Sequence, residues 1–207
     1  MKTKLTWRGW ILILGAVYWV ASGFKANGMM LNDPYGNKIT THVVTIEAGE
    51  LSNTSGVNLD SFDVNNWDSS KSPVSSMETS VVSGKMGNAV QIGFDMSLPM
   101  QWVMISKEIR LEDTAGKAMK FYVRSQGSGS QNLEVQLVHS DGTTYSNSFP
   151  LSLSNQWELV TVRLGDFSYY SSGTKTGNPV TRVQFAVNCQ QPGTGIVALD
   201  GLRLVTE

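Results

Sequence analysis

Charged residues are scarce in this chain of 207 residues, of which Asp, Glu, Lys and Arg make up 16%. An average soluble domain has roughly 25%. The 16 basic and 17 acidic residues leave a net charge of −1, and the basic residues form no cluster. Because nucleic-acid binding requires clustered Lys and Arg to neutralise phosphates, the composition argues against nucleic acid as a partner.

Cysteine and histidine are almost absent, since Cys189 is the single cysteine and His42 and His139 are the two histidines. This excludes an internal disulfide and a cysteine-rich metal site, and it predicts that Cys189 is a small buried apolar residue.

Catalytic motifs are also missing. The run from His139 to Asp141 lies on one predicted hairpin and cannot form a catalytic triad. No Gly-x-Ser-x-Gly, His-Glu-x-x-His or phosphate-binding loop is present. The sequence therefore predicts a protein that is not an enzyme, with a hydrolase using Glu134 and a second acid as the least favoured alternative.

The longest uncharged apolar stretch runs from Gly9 to Phe24, after a basic start with Lys2, Lys4 and Arg8. Its 16 residues are fewer than the roughly 20 that cross a bilayer comfortably. Small residues follow at 21–23, which predicts a secretory signal peptide over 1–23; an uncleaved membrane anchor is the alternative. Removing 1–23 leaves 13 basic residues (16 minus 3) and 17 acidic residues, a net charge of −4. We expect a secreted protein that is extracellular, periplasmic or located at the cell surface.

Serine, threonine, asparagine and glutamine number 62, and glycine 20; this composition favours short strands and turns over helices. Residues 24–41 are predicted to be a linker or tethering arm, because Asp33-Pro34 and Tyr35-Gly36-Asn37 mark turns. From His42 to Glu207 the chain alternates apolar and polar residues, which predicts an all-β sandwich or barrel of antiparallel strands. The predicted strands are 43–48, 59–64, 77–82, 88–95, 102–110, 117–125, 132–139, 143–149, 157–164, 180–188 and 195–205.

The alternation assigns one face of each strand to the core and the other to solvent. The solvent sides of three strands carry planar polar groups and a tyrosine instead of the usual scatter of Lys and Glu. These side chains are Lys120, Tyr122 and Arg124; Asn132, Glu134 and Gln136; and Arg182, Gln184, Ala186 and Asn188.

Several segments, taken in order, resemble family 11 carbohydrate-binding modules and their galactose-binding-like β-sandwich relatives. Residues 59–67 (LDSFDVNNW) are similar to the opening "FE…W" element, and Ser83-Gly84-Lys85 with Asn88-Ala89-Val90 to a "sGk.al" strand entry. The other matching segments are 101–109, 118–124, 133–142, 156–167 (with its Trp and Asp-Phe) and 195–202, which contains Leu199-Asp200-Gly201-Leu202.

By this resemblance, the fold is an all-β jelly-roll sandwich of two antiparallel sheets, one of them concave. The family binds glucans across the concave face, and here the strands expected to line it carry Tyr122, Arg124, Glu134, Gln136, Arg182 and Gln184. Aromatic rings stack on sugar faces, while Arg, Gln and Glu bind hydroxyl groups. Tyr145 and the pair Tyr169-Tyr170 are candidates for further aromatic contacts from nearby loops.

The resemblance also implies a structural calcium ion. The family has an aspartate at the position of Asp200, and Glu47 or Asp63 from the first strands are the candidate partners, since calcium prefers oxygen ligands. A turn-capping or strand-bonding role for Asp200 is the alternative. Among the tryptophans, Trp102 and Trp157 are predicted to pack internally, and Trp67 either to pack or to stack on a ligand.

The leading functional hypothesis is therefore a non-catalytic carbohydrate-binding module that holds a polysaccharide on its concave face. The alternative is a structural or assembly subunit of an extracellular filament, sheath or envelope layer, which self-associates when residues 24–41 add a strand to a neighbouring sheet edge. No membrane contact is expected unless the N-terminal segment is retained.

Overall fold

The structure is a computed structural model and describes residues 31–32, 38–39, 45–47, 51, 55–171 and 179–207. Two units are distinguished, Met1–Thr41 and His42–Glu207. In the first, strands β1 (Leu31–Asn32) and β2 (Lys38–Ile39) form a two-stranded antiparallel sheet. The predicted signal peptide over 1–23, and most of the predicted arm over 24–41, lie outside the described residues. No helix of membrane-spanning length and hydrophobicity occurs in the part of the chain that the structure describes.

The second unit consists of two antiparallel sheets. One has six strands in the order β13-β11-β10-β14-β8-β5. Their bounds are β5 (Asp68–Lys71), β8 (Gln101–Leu111), β10 (Gln131–His139), β11 (Thr144–Pro150), β13 (Ser168–Ser171) and β14 (Val180–Cys189).

The other sheet has seven strands, six of them in the order β3-β12-β9-β15-β7-β6, while β4 pairs with the end of β15. Their bounds are β3 (Thr45–Glu47), β4 (Val57–Asp60), β6 (Ser76–Ser83), β7 (Asn88–Met96), β9 (Lys117–Gly127), β12 (Trp157–Arg163) and β15 (Gly193–Thr206). A short 3-10 helix, Leu164–Asp166, follows β12.

Alternate residues of both sheets meet in one hydrophobic core. An aromatic group fills its centre: the ring centroids of Phe62 and Trp67 are 4.9 Å apart in a stacked pair, and Phe185 packs edge-on against Phe121 at 5.1 Å. Such offset and edge-to-face pairs add to the stabilisation from apolar burial. The predicted all-β, two-sheet antiparallel sandwich is confirmed.

Most predicted strands match the observed ones within one or two residues, but the strand predicted over 59–64 is shifted, and the short strands β1, β2, β5 and β13 were not predicted. The strand predicted over 59–64 ends at Asp60, because Phe62 adopts a left-handed φ of 59° and turns its ring into the core. Trp67 is buried with it, so it packs and does not stack on a ligand. The short edge strand Asp68–Lys71 was not predicted, because all its side chains are exposed and none has a core periodicity.

Candidate ligand-binding site

The outer face of the six-stranded sheet, called here the cleft face, carries the polar side chains that alternate with the core residues of its strands. Val103 and Ile105 of β8, Leu133 and Val135 of β10 and Phe185 of β14 are buried inward. The alternate positions therefore point outward, and the strand registers align them in rows. The outward residues of the three central strands are Trp102, Met104, Ser106, Asn132, Glu134, Gln136, Arg182, Gln184, Ala186 and Asn188.

A cleft of about 200 Å³ lies in the middle of this face. Its lining comes from three neighbouring strands: Trp102, Met104, Glu134, Gln136, Ala186 and Asn188. Ala186 is directly cross-strand from both Met104 and Glu134. Because its side chain is a single methyl group between two longer ones, it forms the floor of the cleft. The lining residues therefore stand on paired central strands, which hold side chains more rigidly than loops do.

Glu134 is the acidic group of the cleft, and its side chain is close to fully buried, with 8% of the residue exposed. Its Oε2 accepts a hydrogen bond of 2.7 Å from Nδ2 of Asn188. Within the described residues its other oxygen, Oε1, has no hydrogen-bond partner, although it is not sealed from solvent. A carboxylate oriented in this way can accept a strong hydrogen bond from a ligand hydroxyl.

The remaining predicted residues of this face lie in the neighbouring rows. Gln136 and Gln184 are directly cross-strand from each other. Arg182 is exposed and lies 3.7 Å from the carboxylate of Glu108. The structure thus brings together four of the six predicted ligand residues, with Arg182 at the margin of the face and outside the cleft.

Tyr122 and Arg124 do not belong to this face, so the expectation that all six residues share it is wrong. Both lie on β9, which is in the seven-stranded sheet. Tyr122 is 2% exposed, packs with Leu51 and Leu159, and accepts a 2.7 Å hydrogen bond at its hydroxyl from the amide of Leu51. The guanidinium of Arg124 stacks on the ring of Trp157 at 4.7 Å.

Trp102 is the aromatic residue that the sequence reasoning missed. It was predicted to pack internally, as was Trp157, but it is half-buried and lines the cleft, cross-strand from Asn188. The alternation along the strand was the available signal. Val103 and Ile105 have the clear pattern of core residues, so Trp102 and Met104, which alternate with them, fall on the outer side of the strand. Trp157, on β12 of the seven-stranded sheet, packs against the small cluster of Leu51, Tyr122 and Leu159. Cys189 is buried as predicted.

Two of the three predicted metal ligands converge at the turn between β6 and β7. Oδ2 of Asp200 accepts hydrogen bonds from the amides of Lys85 (2.6 Å) and Met86 (2.7 Å). Oδ1 of Asp63 accepts one from the amide of Asn88 at 3.0 Å. Burial raises the pKa of Asp200, and the charge of Asp63 adds to this increase. No Lys, Arg or His of the described residues forms an ion pair with Asp200.

Glu47 is not part of that arrangement. Along one row of the seven-stranded sheet, Glu47 pairs with Leu159, Leu159 with Tyr122, and Tyr122 with Asp200. Glu47 therefore lies three strands from Asp200, roughly 14 Å at about 4.8 Å per strand. Calcium–oxygen distances are about 2.4 Å, so this grouping is not supported. No cluster of three or more potential metal-binding side chains is found in the described ranges.

No family model matches the chain, and no curated protein is similar to it in sequence. Solved structures are similar in fold. The family 11 carbohydrate-binding module of the cellulosomal cellulase Lic26A-Cel5E of Clostridium thermocellum aligns with a TM-score of 0.60 at 16% identity, over 74% of this chain and 96% of the module. The family 11 module from Clostridium thermocellum in complex with a β-1,3-1,4-mixed-linked tetrasaccharide gives 0.59 at 18% identity, over 72% and 94%.

A third structure, described as a carbohydrate-binding module of the β-sandwich superfamily with promiscuous specificity, gives a TM-score of 0.54 at 10% identity, over 74% of this chain and 63% of that one. The predicted resemblance to family 11 carbohydrate-binding modules is thereby confirmed for the fold. At these identities the likeness does not extend to individual ligand contacts.

Proposed function

We propose that this chain is a non-catalytic carbohydrate-binding module that holds a polysaccharide or other glycan in the cleft on the cleft face. The observation that carries the proposal is that an indole, Trp102, and a buried, oriented carboxylate, Glu134, line the same small cleft. Sugar rings offer apolar faces for stacking and hydroxyl groups for hydrogen bonding, and this cleft has a partner for each. Gln136 and Asn188, which also line the cleft, add amide donors and acceptors.

The distribution of acids supports binding without hydrolysis. Glycoside hydrolysis uses two carboxyl groups roughly 5–10 Å apart. Glu134 is the acid of the cleft, and the other acids on the described strands of this face are Asp68 and Glu108. The registers place Asp68 three strands away and Glu108 two strands away in a different row, each roughly 14 Å or more from Glu134 by strand spacing.

The experiment is isothermal titration calorimetry and affinity electrophoresis against a panel of glucans and other plant polysaccharides. The panel starts with β-1,3-1,4-mixed-linked glucan, because a similar module was solved with a tetrasaccharide of that linkage. We expect Glu134→Gln and Trp102→Ala each to weaken binding about tenfold or more, equivalent to about 1.4 kcal/mol. Glu112→Gln, at an exposed acid outside the face, is the matched control and should bind as wild type does. Unchanged affinity in both cleft variants, or no binding across the panel, would overturn the proposal.

Two parts of the proposal concern the rest of the chain. We propose that the carboxylates of Asp63 and Asp200 hold a structural calcium ion, which would neutralise Asp200 and brace the turn at 84–88 against the terminal strand.

We also propose that the protein is exported, because the sequence begins with basic residues followed by the short apolar stretch at 9–24. N-terminal sequencing of the secreted material tests export, and a mature chain that retains residues 1–23 would contradict cleavage.

A further inference from the structure

Strand β6 forms one edge of the seven-stranded sheet and pairs with β7 over its whole length, from Ser76 to Ser83, without a register shift. Within the described residues no strand pairs with its other side. Nor does any other backbone hydrogen bond from those residues reach β6. As far as residues 55–171, 179–207 and the other described positions are concerned, one side of an eight-residue strand is therefore left with peptide groups that a further strand can pair with.

The sequence of this edge, SMETSVVS, has few of the features that normally prevent such pairing. It contains no Lys, Arg, Pro or Gly, and Glu78 is its only charged residue. The edge strand β5 of the other sheet differs: it has four residues and carries Asp68 and Lys71. Short length and edge charges are the usual means of blocking a sheet edge, so β5 is better protected than β6.

The inward side of β6 is also apolar and incompletely covered. Met77, Thr79 and Val81 are cross-strand from core residues of β7, yet Val81 is 43% exposed. The chain at 63–65 runs beside the strand, since Asn65 donates a 3.0 Å hydrogen bond to the hydroxyl of Thr79. Val64, the middle residue of this segment, is 60% exposed. An added strand would cover part of this apolar strip.

We propose that β6 pairs antiparallel with the β6 strand of a second copy of this chain, about a twofold axis at Thr79. This register places Met77 opposite the partner's Val81, and Glu78 opposite the partner's Ser80. An axis at Glu78 would instead place two carboxylates opposite each other, which destabilises a pair of strands. An axis at Ser80 would place Met77 opposite the partner's Ser83 and lose the apolar contact. The strand is thus complementary to itself, as a twofold interface requires.

Single-cysteine cross-linking tests the register. At the axis, Thr79 and the partner's Thr79 are about 4.5–5.5 Å apart, within the range for a disulfide. The two Val81 positions are four residues out of register, about 14 Å apart. Thr79→Cys should therefore form a covalent dimer under mild oxidation, whereas Val81→Cys should not; the native Cys189 is 1% exposed and should not react. Failure of Thr79→Cys to cross-link, or preferential cross-linking of Val81→Cys, would overturn the proposal.

Sedimentation velocity on the full chain tests the association itself. Wild type should dimerise reversibly at micromolar to millimolar concentration, and Val81→Lys should raise the dimer dissociation constant at least tenfold. Val57→Lys, at an exposed valine of β4 in the same sheet, is the control and should dimerise as wild type does. A monomeric wild type, including one whose β6 amides are protected from hydrogen exchange by its own chain, would overturn the proposal, as would a dimer that Val81→Lys leaves intact.

Discussion

The outer faces of the two sheets carry the same kinds of side chain and use them differently. On the six-stranded sheet, Trp102 and Glu134 border an open cleft. On the seven-stranded sheet, Tyr122 is buried beneath Leu51, and Arg124 stacks on Trp157. Aromatic, basic and acidic residues are therefore not in themselves a sign of ligand binding, because their role depends on whether the chain's own segments cover the face.

The largest effect that separates the two faces is expected for Tyr122→Ala. Removing this buried ring leaves a cavity and orphans the amide of Leu51, so the free energy of unfolding should fall by roughly 3–5 kcal/mol. Tyr122→Phe, which keeps the ring and loses only the hydroxyl, should cost less, about 1–3 kcal/mol. Chemical denaturation measures both. A folded Tyr122→Ala variant with weakened glycan binding would show that the two faces are not functionally distinct.

The next effect concerns the Asp63–Asp200 pair at the turn between β6 and β7. At 100 times the dissociation constant, calcium should stabilise wild type by about 2.7 kcal/mol, a rise in Tm of roughly 5–10 °C for a domain of this size. Asp200→Asn should abolish that increase. Asp113→Asn, an exposed acid between β8 and β9, is the control. Equal calcium-dependent increases in wild type and Asp200→Asn would remove the calcium proposal.

The pH dependence of the same residue has a definite sign. Because burial raises the pKa of Asp200 in the folded protein above its usual value of 3.8, the folded state binds this proton more readily than the unfolded chain does. Without calcium, the ionised group therefore destabilises the fold at neutral pH, and the penalty disappears as the pH falls through the raised pKa. Asp200→Asn should accordingly be more stable than wild type at pH 7 in calcium-free buffer, and the difference should shrink toward pH 4. A difference that grows with acidification would contradict this assignment.

The smallest effect is expected for Arg124→Ala. Its stacking on Trp157 is partly solvent-exposed, and such cation–π contacts contribute about 0.5–1 kcal/mol. Arg124→Met retains the apolar stem and should lose less. Denaturation curves measure the stability change, and calorimetry should give wild-type glycan affinity for both variants. A tenfold loss of affinity in Arg124→Ala would restore this arginine to the ligand site.

Local alternation predicted the strands, and long-range pairing decided their faces. The buried series Met119, Phe121 and Val123 correctly identified β9 as an amphipathic strand, and the same pattern identified β10 and β14. Nothing in a strand's own residues says which sheet it joins, because that is decided by hydrogen bonds to strands far along the chain. Tyr122 and Glu134 therefore looked equivalent in the sequence, although they lie on opposite sides of the sandwich.

The outward position of Trp102 could have been predicted from the alternation along its strand. The depth of the cleft could not have been predicted from the sequence. Depth arises where Ala186 falls between Met104 and Glu134, and this requires the registers of β8, β10 and β14 together. The closeness of Asp63 and Asp200 likewise depends on the turn at 84–88, which donates amides to both. In each case the decisive contact joins segments that are distant in sequence.

The most direct test of the account is an NMR titration of the isotopically labelled chain with a soluble mixed-linked or β-1,4-linked gluco-oligosaccharide, following every backbone amide and the indole of Trp102. We expect shifts concentrated in β8, β10 and β14, led by the surroundings of Trp102, Glu134 and Asn188, with β9 and β12 unaffected. Shifts concentrated around Tyr122, Arg124 and Trp157, or no shifts at millimolar oligosaccharide, would contradict a glycan site on the cleft face.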